Sequence, residues 1–324
     1  MGMKLSIIVP IYNVGLFFEK CVNSLFCQDL SPDEYEIVLV DDGSPDECPG
    51  ICDKFAANYK NVKVIHQINK GLSAARNSGL KAAQGEYVQF VDADDYLELK
   101  VLKGLMEKME QDELDVLRFN YQNVNERYEV FEPNKVSKPF VDYRDEVCDG
   151  LTFLTERLGY ACYAVQFMVR RDLLDDCVFK EGIVFEDVDW TPRMLMKAKR
   201  VTSTDRMVYN YLIRSGSITQ SREKGKKLKA FEDKLGLIDS LQSQMQGVTD
   251  KRWFRGFVAH LTIGLISDIS KYFFENRKAL IDRIKSRSVF PLSYYHATKQ
   301  ASRKIRIANL SPMLLCYLLR LKQI

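Results

Sequence analysis

Tyr87-Val88-Gln89-Phe90-Val91-Asp92-Ala93-Asp94-Asp95 is the stretch on which the fold turns. Aromatic and β-branched residues dominate its first half, the composition of a buried strand. Carboxylates then end it abruptly. In open parallel sheets, ligands bind at the carboxyl ends of the strands, so acid at this point reads as the rim of a site.

The same pattern repeats toward the N-terminus. Leu5 to Val9, Glu36 to Val40 and Val62 to His66 are predicted strands, and each is followed by polar or turn-forming residues. Between them the period changes from two to 3.6. Phe18, Cys21, Val22, Leu25 and Phe26 fall on one helical face, Ile51, Phe55 and Tyr59 on another, and Leu72 to Ala83 is an Ala-rich helix stopped by Gln84-Gly85. Beyond the opening stretch, Leu97 to Met109 is predicted as a helix and Leu114 to Asn120 as a strand. Strands alternating with helices predict an α/β fold, a mostly parallel, Rossmann-like sheet covered by helices. From 121 to 215 the pattern is less regular, with strand-like pieces at Ala164 to Val169 and Met207 to Leu212, and it reads as a continuation of the same domain. From Lys224 onward the chain reads as helical, with Phe254, Phe257, Val258, Leu261 and Leu265 on one face. The expected organisation is one domain over 1–220 and a helical, basic C-terminal extension over 221–324.

Composition bounds the function classes. The 324 residues are 46% hydrophobic and 28% charged, an ordinary globular mixture that excludes disordered, collagenous and disulfide-miniprotein readings. Apolar runs such as Met313 to Leu319 fall short of the roughly 20 residues of a spanning helix. The apolar N-terminal run is too short for a signal peptide, so a cytoplasmic location is expected. Scattered cysteines read as free thiols; Cys48 and Cys52 have no second pair, and His66, His260 and His296 lie at no zinc-ligand spacing. The net charge of +3 conceals an asymmetry, because residues 251–324 carry +12 and the remainder −9. A basic region of this kind suits an anionic partner. With no aromatic stacking motif for nucleic acid, the expected surface is the inner face of a membrane.

The chemistry collects at the strand ends. Tyr12 and Asn13 follow the first strand, Asp41 and Asp42 the second, Asn69-Lys70-Gly71 the third, and Asp92, Asp94 and Asp95 the fourth, with Arg76 nearby. Asp92-x-Asp94 suits magnesium or manganese, which take few protein oxygens and fill the other positions with water and phosphate. Pro10-Ile11-Tyr12-Asn13-Val14-Gly15 is no Gly-x-Gly-x-x-Gly turn, and no Gly-x4-Gly-Lys-Ser/Thr loop occurs. Dehydrogenase and P-loop ATPase readings therefore lose their main support. Each acidic turn also has a plain structural reading: helix caps for the rim aspartates, a salt bridge to one of them for Arg76, a solvated turn for Glu186, Asp187 and Asp189.

Ser6-Ile7-Ile8-Val9-Pro10-Ile11-Tyr12-Asn13, Val40-Asp41-Asp42-Gly43-Ser44, Asn69-Lys70-Gly71-Leu72-Ser73-Ala74-Ala75-Arg76-Asn77 and Phe90-Val91-Asp92-Ala93-Asp94-Asp95 resemble the successive motifs of family 2 glycosyltransferases. Phe185-Glu186-Asp187-Val188-Asp189-Trp190 resembles the family's acceptor motif. Tyr211-Leu212-Ile213-Arg214-Ser215-Gly216-Ser217-Ile218-Thr219 resembles a motif often seen after it. The likeness covers about residues 3 to 220.

It implies a nucleotide-diphospho-sugar transferase domain of the glycosyltransferase A type and an inverting transfer to a hydroxyl. It also implies roles. Pro10, Tyr12 and Asp42 would line the nucleoside pocket, Arg76 would lie near the nucleotide or its phosphates, and Asp92 near the ribose. Asp94 would hold Mn2+ or Mg2+, Arg214 and Ser217 would close over the diphosphate, and Asp187 would be the general base. The implied partners are a nucleotide-sugar donor, a UDP-sugar by expectation, and a glycan or lipid-linked acceptor of surface polysaccharide synthesis. Two rival classes have weaker support. A sugar-nucleotide pyrophosphorylase would want a Gly-rich, Arg-containing turn at residues 10 to 16, and a binding module without activity would not need Asp92, Asp94 and Asp187 together.

Overall fold

The structure, a computed structural model, describes residues 2–131, 145–214 and 223–322. The chain divides into two compact units, Met1–Arg157 with Ala161–Ser215, and Leu158–Tyr160 with Gly216–Ile324.

In the first unit one eight-stranded sheet runs β3-β2-β1-β4-β7-β6-β8-β5. Its strands are β1 (Leu5–Ile11), β2 (Tyr35–Asp41), β3 (Val62–His66), β4 (Tyr87–Phe90), β5 (Tyr96–Leu97), β6 (Val116–Val124), β7 (Phe167–Arg170) and β8 (Val201–Leu212). The β3-β2-β1-β4 half is wholly parallel, as the alternating pattern predicts. Parallelism breaks at β7, which pairs antiparallel with both β4 and β6, while β6 and β8 are again parallel. The sheet is therefore mixed, with most of its pairings parallel. Helices α1 (Phe18–Phe26), α2 (Cys48–Asn58), α3 (Leu72–Ala82), α4 (Leu102–Gln111), α5 (Gly150–Glu156) and α6 (Glu186–Lys197) complete the unit.

Apolar periodicity explains these elements. Phe18, Cys21, Val22 and Leu25 of α1 are all buried, the face read from their spacing. Gly79 lets α3 lie close on β1, since a Cβ there would come within 2.3 Å of Ile8 Cγ2. Glu36, a charge inside β2, is buried with its partners: Oε1 accepts from Ser6 Oγ at 2.6 Å and Gln84 N at 2.6 Å, and Oε2 faces Lys63 Nζ at 2.6 Å. One predicted boundary moves. Tyr96–Leu97 is a short strand, because Glu98 N donates to Val208 O at 2.8 Å and Leu97 N to Ser24 Oγ at 3.1 Å, so α4 starts only at Leu102. After residue 121 the strand-like pieces also move: Ala164–Gln166 is a 3-10 turn, so β7 starts at Phe167, whereas β8 already starts at Val201.

The second unit is helical: α7 (Lys224–Gln244), α8 (Arg252–Tyr272), α9 (Arg277–Lys285), α10 (Lys299–Leu310) and α11 (Pro312–Leu321). Phe254, Phe257, Val258, Leu261 and Leu265 of α8 are buried together, the face their spacing predicts. Trp253 Nε1 donates to Gly159 O and so ties the 158–160 strip to α8. On α11, Leu315 and Cys316 point inward whereas Leu314, Tyr317, Leu318 and Leu321 are exposed. Among the described residues no helix is long and apolar enough to cross a membrane.

Candidate active site

The parallel strands β1, β2 and β4 are in register, so their carboxyl ends form one rim. Asp41 and Asp42 lie at the end of β2, and both are buried. Asp41 accepts from Ser44 N at 2.9 Å and faces His66 Nδ1 at 2.9 Å. Hydrogen bonds to Asp41 and then Asp53 raise the His66 pKa above its usual range. Asp42 holds the neighbouring loop: Oδ1 accepts from Gln67 Nε2 at 2.7 Å and Lys70 N at 2.9 Å, and Oδ2 from Gly71 N at 2.7 Å. Gly43 makes this approach feasible, with φ +70° and room for a Cβ only 3.0 Å from Asn69 N. Pro10 is buried in β1, and Tyr12 just beyond it is 50% exposed at the rim.

Arg76 joins two distant parts of the chain. It is 1% exposed, and its guanidinium lies 5.1 Å over the Phe179 ring. Nη1 donates to Glu186 Oε1 at 2.7 Å and to Asp187 Oδ1 at 2.9 Å, while Nη2 donates to Asp92 Oδ1 at 2.9 Å. Burial works against the charge on Arg76, and Asp92, Asp187 and Glu186 outweigh it, holding the guanidinium cationic. Phe90, Phe179 and Trp190 fix where α6 begins: Trp190 stacks on Phe179 at 4.6 Å and meets Phe90 edge-on at 5.9 Å. Asp187 is thereby brought beside the rim.

The two other acids of that segment are separated in use. Asp189 accepts from Arg193 Nη2 at 2.7 Å, an i,i+4 pair on α6, whereas Glu186 shares the Arg76 fork with Asp187. Burial pushes the Asp187 carboxyl up to about 7; Arg76 opposes the rise, and Glu186 and Asp92 add to it. Its second oxygen accepts from Ala164 N at 3.2 Å. A carboxyl group that titrates near neutrality, aimed at a polar rim, has the properties of a general acid or base.

At the end of β4, Asp95 lies inward and Asp94 outward. Asp95 is 1% exposed and accepts from Tyr209 Oη at 2.6 Å and Leu212 N at 2.8 Å. The same Tyr209 oxygen accepts from Asp92 N at 3.1 Å, so β8 braces the acidic loop. Burial first, then Asp94 and Asp92, raise the Asp95 pKa above the usual carboxylate range. Asp94 lies nearer the surface, its Oδ2 accepting from Arg214 Nε at 2.9 Å. Burial and Asp92 push its carboxyl up, and Arg214 offsets them in part.

This donor set fits a hard cation completed by phosphate and water. Asp94 would offer carboxylate oxygens whose charge a cation would stabilise, and among the described residues no group of three His, Cys, Asp or Glu side chains forms a cage. Ser217 lies outside the described residues. Tyr209 was missed by the sequence reading, and nothing local marks it, because its role depends on pairing β8 beside the acidic loop.

Comparison with solved structures gives the fold. The crystal structure of Staphylococcus aureus TarS 1–349 in complex with UDP-GlcNAc superposes with TM-score 0.73 at 22% identity, covering 98% of this chain and 89% of that one. A mannosyltransferase from Pyrobaculum calidifontis, solved with GDP-Man and Mn2+, gives TM-score 0.54 at 14% identity over 98% of this chain and 87% of that one. The fold is that of a glycosyltransferase A-type nucleotide-sugar transferase. A family model described as Glycosyl transferase family 2 matches residues 6–177, and the chain belongs to that family. Bacillus subtilis EpsJ, described as an uncharacterized glycosyltransferase, is 36% identical over 218 residues, 66% of this chain and 62% of its own length.

Proposed function

We propose that the chain is an inverting glycosyltransferase that moves a sugar from a UDP-sugar to a hydroxyl of a glycan or lipid-linked acceptor in surface polysaccharide synthesis. One observation carries this reading: the buried Arg76 fork joins Asp92, at the donor rim, to Asp187, which lies 111 residues from Arg76 in the sequence. Donor site and candidate base are thus one electrostatic unit. The TarS complex with UDP-GlcNAc favours a uridine nucleotide.

Pro10, Tyr12 and Asp42 line the nucleoside pocket in this reading. Three donors from the 67–71 loop leave Asp42 about one of its roughly four acceptor positions for the base. Asp92 attends the ribose, and Arg214 the diphosphate. The acceptor oxygen attacks the anomeric carbon, the bond to the diphosphate oxygen breaks with its electron pair leaving on the diphosphate, and the acceptor proton passes to Asp187. A carboxyl with a pKa of about 7 matches that proton transfer to neutral pH. Asp94 would hold a divalent ion, as Mn2+ accompanies GDP-Man in the Pyrobaculum neighbour, and such an ion would supply charge neutralisation to the leaving group.

The second unit supplies a membrane contact. Leu314, Leu318 and Leu321 of α11 are exposed, Lys299, Arg303 and Arg306 of α10 are basic, and anionic headgroups attract each such cation by about 1 kcal/mol.

A thermal-shift screen of nucleotide diphosphates with and without Mn2+ tests the donor assignment. UDP and UDP-sugars should stabilise the full chain in a metal-dependent manner, by RT ln(1 + [L]/Kd). Stabilisation by adenine nucleotides alone, or by no nucleotide, would overturn it.

A further inference from the structure

Asp187 is bordered by aromatic residues that the catalytic scheme does not use. Tyr163 precedes Ala164, whose N–H donates to Asp187 Oδ2 at 3.2 Å, and it is 44% exposed. Its ring meets Tyr121 edge-on at 6.0 Å. Tyr121 lies opposite Tyr209 in the β6–β8 register, with Tyr211 two residues along the same face of β8. That face is the one from which Tyr209 reaches Asp92 and Asp95. The tyrosines therefore run from the acidic loop toward the backbone that holds Asp187.

Phe185 lies two residues before Asp187 in the chain. It is 38% exposed and adopts the left-handed conformation, φ 64° and ψ 37°. A bulky residue rarely does so, and backbone strain of this kind gathers at functional sites. The turn places an aromatic side chain immediately before the acidic start of α6.

We infer that Tyr163 and Phe185 form an acceptor subsite for a pyranose ring, which fixes the acceptor class of the transferase as a sugar rather than an open-chain polyol or a sterol. The inference rests on Asp187 being the base. A base must lie within hydrogen-bond reach of the hydroxyl it deprotonates, so the acceptor must lie against whatever is exposed beside Asp187. The axial C–H groups of a pyranose carry partial positive charge and match the electron-rich face of an aromatic ring. An open-chain polyol has no such flat C–H face, and a sterol has no ring of hydroxyls to match.

Saturation-transfer NMR on the full chain with UDP and Mn2+ present tests this. The probes are methyl glucopyranoside, methyl galactopyranoside and N-acetylglucosamine, with ribitol and a solubilised sterol for comparison. At least one pyranoside should bind, receiving saturation on one face of its ring, and should bind more tightly than ribitol or the sterol. Tyr163→Phe should retain that binding. Tyr163→Ala should weaken it roughly five- to tenfold, the loss of one aromatic contact. Phe185→Asn removes the ring while tolerating the left-handed backbone, and should weaken it similarly. Unchanged pyranoside binding in both ring-deleting variants overturns the inference, as does wild-type protein that prefers ribitol or the sterol, or that binds no pyranoside. Thermal stabilisation by UDP, measured on the same samples, reports the donor site separately. Its loss in wild type would strike the glycosyltransferase reading, whereas its persistence in the variants confines any failure to the acceptor subsite.

Discussion

Replacing Arg76 with methionine keeps much of the side-chain volume and removes the charge that holds Asp92, Glu186 and Asp187 together. The guanidinium is 1% exposed and makes contacts of 2.7, 2.9 and 2.9 Å, so its loss leaves three acids facing a buried apolar side chain. Breaking a buried ionic network by removing one partner costs about 3–5 kcal/mol. For a unit of this size that corresponds to a fall in Tm of roughly 6–20 °C. The sign of the pH dependence makes the test specific. Asp187 already has a folded-state pKa of about 7 against an ordinary value of 3.8, so the native state binds the extra proton and wild-type stability falls as pH rises between those values. The slope from this one group is at most about 1.4 kcal/mol per pH unit. Without Arg76 the charged form of Asp187 loses its compensating cation, so Arg76→Met should be much closer to wild type at pH 5 than at pH 8. Scanning fluorimetry across that range measures it. A Tm loss that is the same at both pH values would refute the electrostatic account and leave Arg76 a packing residue.

Other consequences concern the rim, the base and the second unit. Asp94→Ala should abolish Mn2+-dependent UDP binding and leave Tm within a few degrees of wild type, since Asp94 pairs only near the surface with Arg214; undiminished nucleotide affinity by calorimetry would remove the metal assignment. Asp187→Asn should keep donor affinity and lower transfer by roughly two to four orders of magnitude, and in wild type kcat/KM should fall as pH drops below about 7, where the base becomes protonated. Near-normal turnover in Asp187→Asn would move the role to Glu186, because Asp189 is engaged with Arg193. Leu314→Glu with Leu318→Glu should reduce sedimentation with anionic vesicles at low salt without unfolding α11, whose buried contacts are Leu315 and Cys316; equal sedimentation of variant and wild type would rule the leucine face out.

Much of the parallel half of the sheet was legible in sequence because it is locally encoded. A run such as Leu5 to Val9 buries both faces and needs no knowledge of its neighbours, and α1 and α8 declare their inward faces through spacing alone. The candidate rim was legible for the same reason, since each acidic turn directly follows its strand. The rest depended on which strand lies beside which. Nothing in Phe167–Arg170 says that β7 will insert antiparallel between β4 and β6, and nothing in Val201–Leu212 says that Tyr209 will meet an acid 114 residues earlier.

For Arg76 the sequence supplied the residue and a choice between phosphate and carboxylate partners. Its three carboxylate contacts, spanning separations of 16 to 111 residues, come from the packing of Trp190 and Phe179 against β4. Local periodicity reports burial, whereas the titration of a buried acid depends on charges that only the assembled fold brings within a few ångströms. The pKa of Asp187 and the partners of Arg76 were therefore decided by tertiary structure, while the order of strands and acids along the chain was decided by the sequence.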